Sequence, residues 1–484
     1  MTFDSIITIA AFCCYLIFML CIGMYFVGKN RTTNEYFLGG RQPGSWVTGL
    51  SAQASDMSGW LLMGLPGAAY LSGISAGWIA IGLAIGTYLN WLFVAKRLRQ
   101  YTKTADDAIT LPQFFKNRFH DESGWISVIA AVFILVFFLF YTASGFVSCA
   151  KLFSSVFGIP YLVSLVIGAV VVISYTFAGG FFAVCWTDFF QGILMFFCVL
   201  AVPTIAIFSM GGPTGFFSQV EAFNPNFLNM FVDGATGVPY TAMGIISLLA
   251  WGLGYFGQPH ILVRFMGISS PQAIKKSRRI ATIWVLISLT AAIMIGISGR
   301  MFLGDSIVLT DGNQETIYIS MVAKIFPVFI AGIFLSAILA AIMSTADSQL
   351  LVTASALTED FYHNKVHKNA SEKELMWVSR GCVMAVAIIA VLIATNQNST
   401  ILGLVSYAWG GFGSAFGPLV LCSLFWRRTN KQGAYAGIIV GGVVDLVWAQ
   451  LSGGIFDLYE IVPGFVFGLL AIVVVSLLTP APTK

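Results

Sequence analysis

The chain has 484 residues, of which 58% are hydrophobic and only 10% charged, with a mean hydropathy of +0.86. Soluble domains carry about 25% charge, so this composition excludes a soluble domain as well as a disordered, fibrous or disulfide-stapled secreted chain. A net charge of +4 without a dense basic block excludes nucleic-acid binding.

Apolar runs bounded by charges and by Gly, Pro or Asn clusters predict an all-α polytopic membrane protein with thirteen transmembrane helices. The sequence opens MTFDSIITIAAF, with neither a positive leader nor a small-residue cleavage site before the apolar run, so the first span, 4–27, is expected to be retained. Further spans follow at 45–71, 76–95, 124–150, 161–179, 189–210, 237–261, 280–300, 318–350, 377–395, 401–426, 433–451 and 461–479. Cys13, Cys14, Cys21, Cys149, Cys185, Cys198, Cys382 and Cys422 all lie in these apolar runs without metal-ligand spacing. They read as small buried hydrophobes. The longest loops, 96–123, 211–236 and 351–376, are too short for a core of their own, so 1–484 is a single transmembrane domain. With the amino terminus outside, every Lys and Arg except Lys151, Arg300 and Lys324 falls in an inner segment, including Lys29, Arg31 and Arg41 after span one, Arg264 after span seven and Lys484 at the end. The positive-inside rule then places the amino terminus outside and the carboxyl terminus in the cytoplasm.

Spans two and seven carry polar or glycine-rich sequence where a span is normally most apolar. Ser51 to Gly59 reads SAQASDMSG, with Leu65, Pro66 and Gly67 beyond it, and Trp251 to Pro259 reads WGLGYFGQP. Glycine weakens a helix by about 1 kcal/mol and proline by about 3, and lipid has no water to satisfy the freed backbone groups. Both stretches are therefore expected to be breaks buried in protein or facing a cavity; kinked helices packed through small residues are the plainer alternative. Because helices two and seven are five apart, units 45–210 and 237–426 would enter the membrane from opposite sides as inverted repeats of five helices, followed by two accessory helices in 427–484. Matching breaks in inverted halves point to a secondary transporter holding substrate and ion at the breaks. Freed amides suit a carboxylate and freed carbonyls a hard cation, which a zwitterionic amino acid plus sodium supplies.

Span nine ends in AAIMSTADSQ, Ala340 to Gln349. Ser344 and Thr345 follow Ala341 by three and four residues, so its carbonyl and both hydroxyls share one helix edge. With carbonyls released near Ala54 and Met57 they make about five oxygens, a shell for a small hard cation, although each hydroxyl alone could bond back to its own helix. Asp56 is a mid-span carboxylate, where a charge costs at least about 2.5 kcal/mol. It is expected to attract, hold or gate the cation, a helix-end dipole partner being the alternative. Asp188, before the expected start of span six, reads as an exposed acid suiting the helix dipole or as a guide for the departing ion. Trp60, Trp251 and Tyr255 beside the breaks, and Tyr141 in the run YTASG, could close over a small apolar ring or chain or could simply pack. His363 and His367 have helical spacing without a third ligand and are expected to be solvated. Lys275, Lys276, Arg278 and Arg279 could meet anionic lipid, although topology alone accounts for them.

Four stretches now stand in order along the chain: SAQASDMSGWLLMGLPG at Ser51 to Gly67, AGGFFAVCWTDFFQ at Ala178 to Gln191, Trp251 to Pro259, and Ala340 to Gln349. On these the sequence resembles the sodium/solute symporter family over nearly its whole length. The resemblance implies a LeuT-type core of spans two to eleven, a bacterial cytoplasmic membrane, and sodium-coupled uptake of L-proline with no enzymatic activity, resident cofactor or protein partner. It implies sodium ligation by the carbonyls of Ala54, Met57 and Ala341 and the hydroxyls of Ser344 and Thr345. It further implies ion and substrate coupling through Asp56, Ser58 and Gly59, ion movement on the inner side through Asp188, and proline binding by Trp60, Tyr141, Trp251, Tyr255 and Pro259. Arg41 also matches, with no role attached. The residues leave open another small carboxylate such as pantothenate, proton coupling through Asp56, and a transporter-like sensor or channel.

Overall fold

A computed structural model of the protein describes residues 3–27, 33–176, 180–304, 309 and 313–482. Lys29, Arg31, Ala178, Gly179 and Lys484, named above, lie outside these residues. The described residues form helices and turns, with one isolated bridge between Val232 and Pro239. Among them nine helices are long and apolar enough to cross a membrane, and two shorter apolar ones lie at Tyr161–Ser174 and Ala242–Gly257. Their outward faces expose residues such as Leu162, Val166, Val170, Phe197, Ile283 and Leu470, an apolar belt suited to lipid. Cys13, Cys14 and Cys21 lie exposed on that belt rather than buried, because span one packs only against neighbours on one side, chiefly Phe181–Ser209 and Val328–Ser355.

Several expected boundaries shift. Span six begins at Phe181, eight residues early, so Asp188 lies two turns inside a helix and is fully buried rather than exposed. Span nine is divided into Ile317–Ile325 and Val328–Ser355, because Pro327 lacks an amide and holds Phe326 in an extended conformation. The segment 351–376 is not a loop: the helix runs to Ser355 and continues as a wide-turned helix over Ala356–Val366. Within 96–123, span three runs on as Ala95–Thr104, and Leu111–Arg118 forms a short helix whose cap, Thr110, accepts from the Gln113 amide. Within 211–236, Gly212–Phe223 is helical.

Both expected breaks are present. The half-helix Ser45–Asp56 ends where Met57 leaves helical geometry (φ −82°, ψ 76°), and the chain resumes through the wide turn Trp60–Gly64 into Leu65–Ser72, with Pro66 in its first turn. Gly59 is required by closeness: a Cβ there would lie 2.3 Å from the Ser148 hydroxyl. Span seven runs as Ala242–Leu249, tightens over Ala250–Gly257, is extended at Gln258 and restarts at Pro259–Gly267. Pro259 suits that restart, since a first-turn amide has no helical partner to lose. A Cβ on Gly257 would meet the Phe412 carbonyl at 2.1 Å, so the tight turn lies directly on Ile401–Phe425. The half-helix Ser45–Asp56 packs against Phe181–Ser209, Pro259–Gly267, Ile274–Leu303 and Val328–Ser355. Protein therefore encloses the unwound backbone, as the absence of water in lipid demands.

Candidate functional site

Asp56, the last residue of its half-helix, is a point of convergence. Its carbonyl accepts from the Trp60 indole at 3.0 Å, the Tyr141 hydroxyl at 2.9 Å and the Ser58 amide at 3.0 Å. Its carboxylate Oδ2 accepts from the Tyr255 hydroxyl at 2.6 Å. Three of the five aromatic or proline positions expected to bind substrate thus meet on one residue between the two breaks. Trp251 joins them indirectly: its carbonyl accepts from the Trp409 indole at 2.7 Å, and Tyr255 stands edge-on to Trp409 with centroids 5.0 Å apart. Pro259 is buried at the head of the second half of span seven, next to His260, whose ring stands edge-on to Tyr141 at 5.8 Å. Ser58 and Gly59 are buried within the break. Among the described residues the Oδ1 atom of Asp56 is buried without a hydrogen-bond partner, an acceptor that buried polar sites seldom leave idle.

One turn back, the oxygens expected from spacing draw together across two helices. The Ser344 hydroxyl donates to the Ala54 carbonyl at 2.7 Å and approaches the Ala341 carbonyl at 3.2 Å, and Thr345 Oγ1 lies 3.5 Å from the same Ala54 oxygen. The single Ser344 proton is thus directed chiefly across to Ala54, its own-helix carbonyl being the longer contact. Met57, the fifth expected ligand, is fully buried at the end of the half-helix, three residues beyond Ala54.

A buried ion pair lies next along the same half-helix. Arg264 Nη2 and Asp188 Oδ2 are 3.0 Å apart, with side chains 1% and 0% exposed. Ser51 Oγ donates to Asp188 Oδ2 at 2.7 Å, and Arg264 Nε donates to Ser51 Oγ at 3.2 Å. Arg264 also donates to the His260 carbonyl and the Ser348 hydroxyl, and Ser348 donates in turn to the Ser344 carbonyl at 2.8 Å. One continuous network thus runs from the ion pair to the oxygen cluster through spans two, six, seven and nine. Arg264 is therefore not a loop cation, as its place in the charge pattern suggested; a charge removed from water needs such partners to persist.

The sequence pattern of the sodium:solute symporter family matches residues 36–441. The chain belongs to that family. As a family member it is a secondary transporter and not an enzyme. A high-affinity proline transporter of Bacillus subtilis is 48% identical over 467 residues, covering 96% of this chain and 97% of the relative. The sodium/proline symporter of Escherichia coli K12 is 48% identical over 478 residues, covering 98% and 94%. In fold the symporter is similar to a Na+-coupled sialic acid symporter solved in a substrate-bound outward-open state, with a TM-score of 0.81 at 23% identity and 99% of each chain covered.

Four residues that the structure adds to the candidate site are not singled out for it by the sequence pattern: Arg264, His260, Ser348 and Trp409. Arg264 had a legible signal, since it stands alone among apolar neighbours in HILVRFMG, unlike the clustered cations of Lys275 to Arg279. His260 is fully buried, with neither ring nitrogen hydrogen-bonded among the described residues. Conversely, His363 and His367 each engage a carboxylate, Glu359 at 3.0 Å and Glu374 at 2.8 Å, and do not form a pair.

Proposed function

We propose that the chain imports L-proline across a bacterial cytoplasmic membrane together with sodium, by alternating access. The observation that carries this reading is the meeting of the Ala54 and Ala341 carbonyls with the Ser344 and Thr345 hydroxyls, beside Asp56 and its ring of aromatic donors. Sodium would be held by the oxygens of Ala54, Met57, Ala341, Ser344 and Thr345. All five are uncharged, so a singly charged ion rather than a divalent one suits them. Proline would lie against Trp60, Tyr141, Trp251, Tyr255 and Pro259, its carboxylate near the amides freed beyond Asp56. Asp56, Ser58 and Gly59 join the two sites, because Asp56 ends the helix that supplies Ala54 and also binds Tyr255. Asp188 would assist ion release on the inner side. The identity of about 48% to proteins named as proline transporters supports the substrate.

The same reading holds 45–210 and 237–426 as inverted repeats, 427–484 as two accessory helices, and thirteen spans with the amino terminus outside. The distribution of Lys and Arg supports the orientation. Sodium entering from outside ties span two to span nine and orders the break, which raises affinity for proline; by linkage, proline raises affinity for sodium equally. Each positive charge carried inward contributes about 2.3 kcal/mol per 100 mV.

Uptake of labelled proline into proteoliposomes tests this. Accumulation above equilibrium with an inward sodium gradient, and not with potassium or a proton gradient alone, is the expected result. Sodium-driven uptake of another small carboxylate but not of proline would discard the substrate; uptake following pH would discard the coupling ion.

A further inference from the structure

The helix Ile274–Leu303 begins with an electrostatic mismatch. Lys275, Lys276, Arg278 and Arg279 occupy its first two turns, and no acid stands in the first turn. Among the described residues none of the four lies in an ion pair with a carboxylate. The amino end of a helix is its positive end, so cations there repel the dipole as well as one another. Topology explains positive charge on this side of the membrane. It does not set where on that side they stand, and the helix dipole disfavours the first two turns of Ile274–Leu303, where the four have no ion-pair partner among the described residues.

The four do not point alike. Arg278 lies over the Tyr88 ring, 5.6 Å from its centroid. Lys276 lies 5.7 Å from the Trp46 ring on another side, and with Arg279 it borders a groove of about 310 Å³ walled by Trp46, Leu50, Phe196 and Trp284. Trp46 is 54% exposed, so the groove opens toward lipid.

We propose that this groove is a binding site for an acidic phospholipid, with its phosphate between Lys276 and Arg279 and one acyl chain against Trp46, Leu50, Phe196 and Trp284. An acyl chain gains little by moving from bulk lipid into an apolar groove, since both surroundings are hydrocarbon. Selectivity therefore resides in the headgroup, where a phosphodiester supplies the anion that the two cations lack. The site lies on a functional seam. Trp46 and Leu50 belong to the half-helix that ends at Asp56, and that half-helix is fastened to the start of Ile274–Leu303 by Ser45 Oγ donating to the Ala273 carbonyl (3.1 Å) and Ser277 Oγ donating to the Ser45 carbonyl (2.9 Å). Only the assignment to the cytoplasmic leaflet rests on the orientation proposed above.

The test uses the full chain and no transport assay, so its failure is separable from failure of the substrate assignment. Purified protein is offered phosphatidylglycerol and phosphatidylcholine of equal chain length, and bound lipid is counted by native mass spectrometry. Retention of one phosphatidylglycerol in preference to phosphatidylcholine is expected, with the preference reduced about tenfold in Lys276→Gln/Arg279→Gln and unchanged in Lys275→Gln. An undiminished preference in the double variant overturns the site, and an equal fall in Lys275→Gln overturns it in favour of diffuse attraction to a basic surface. In vesicles, acyl-brominated phosphatidylglycerol should quench tryptophan fluorescence more than brominated phosphatidylcholine does, and Trp46→Phe should remove part of that excess. An excess left undiminished by Trp46→Phe overturns the placement of the chain.

Discussion

At the break in span two, the freed carbonyls of Ala54 and Asp56 are met largely by hydroxyls, those of Ser344, Thr345 and Tyr141, together with the Trp60 indole. At the break in span seven, the carbonyls of Trp251 and Tyr255 are met by the Trp409 indole at 2.7 Å and the Asn90 amide at 2.9 Å. A hydroxyl can donate, or turn and present lone pairs; an indole or amide N–H can only donate. On the proposed function, the hydroxyl donors of the first break turn aside for a cation while the same carbonyls stay in place. The indole and amide donors at the second break cannot, and it is fixed in that respect. The first also carries charge, Asp56 at its end and Asp188 with Arg264 along its flank, whereas Trp251 to Gln258 contains no ionisable group other than Tyr255.

The largest expected effect tests that difference in charge. Asp188→Asn or Arg264→Gln alone leaves the partner buried and uncompensated and should cost about 3–5 kcal/mol of stability, read from unfolding of the purified protein in detergent. The double variant should recover much of this. Single variants as stable as the parent would mean that the pair is not buried in the resting protein.

Next come the glycines, at about 1–3 kcal/mol for overpacking. At Gly257 an added Cβ meets backbone, the Phe412 carbonyl, so Gly257→Ala should be destabilising with no side chain to trim in compensation. At Gly59 the obstacle is the Ser148 side chain, so Ser148→Gly should restore Gly59→Ala. Failure of that rescue would place the constraint at Gly59 in its backbone instead.

Smaller in energy but more specific, Ser344→Ala with Thr345→Ala should raise the sodium concentration for half-maximal uptake at least about tenfold, or about 1.4 kcal/mol. Discrimination between proline and its analogues should be unaltered. An unchanged sodium requirement would remove both hydroxyls from the ion site. The smallest effect is expected at the fixed break: Trp409→Phe removes the donor to Trp251 and should cost about 1 kcal/mol of stability while leaving the sodium requirement alone. A shifted sodium requirement in that variant would erase the distinction between the two breaks.

Much of this arrangement was legible in the chain. The unwound stretches at Asp56 to Gly59 and Trp251 to Gln258 follow from glycine, proline and polar residues in otherwise apolar runs, and the edge shared by Ala341, Ser344 and Thr345 follows from helical periodicity. The start of span six at Phe181 is not legible, because Phe181 to Thr187 is too short an apolar run to register separately from the acid that follows it. The burial of Arg264 escapes charge counting, which treats every cation as a topological marker. The division of span nine at Pro327 has a local signal, since proline restricts the residue before it, but the apolar runs on both sides make 318–350 look continuous.

By itself the sequence determined the membrane class, the approximate spans, the two places where helix fails and the residues able to offer oxygen there, because each depends on properties repeated within a few turns of chain. Only the tertiary structure decided that Asp56 gathers Trp60, Tyr141 and Tyr255, that Arg264 closes on Asp188, Ser51 and Ser348, and that Lys276 and Arg279, but not Lys275, border the lipid-facing groove. The hydrogen-bonded partners among these lie up to 213 residues apart. What joins them is the packing of whole helices, which lets a charge withdrawn from water find its counterion on another span.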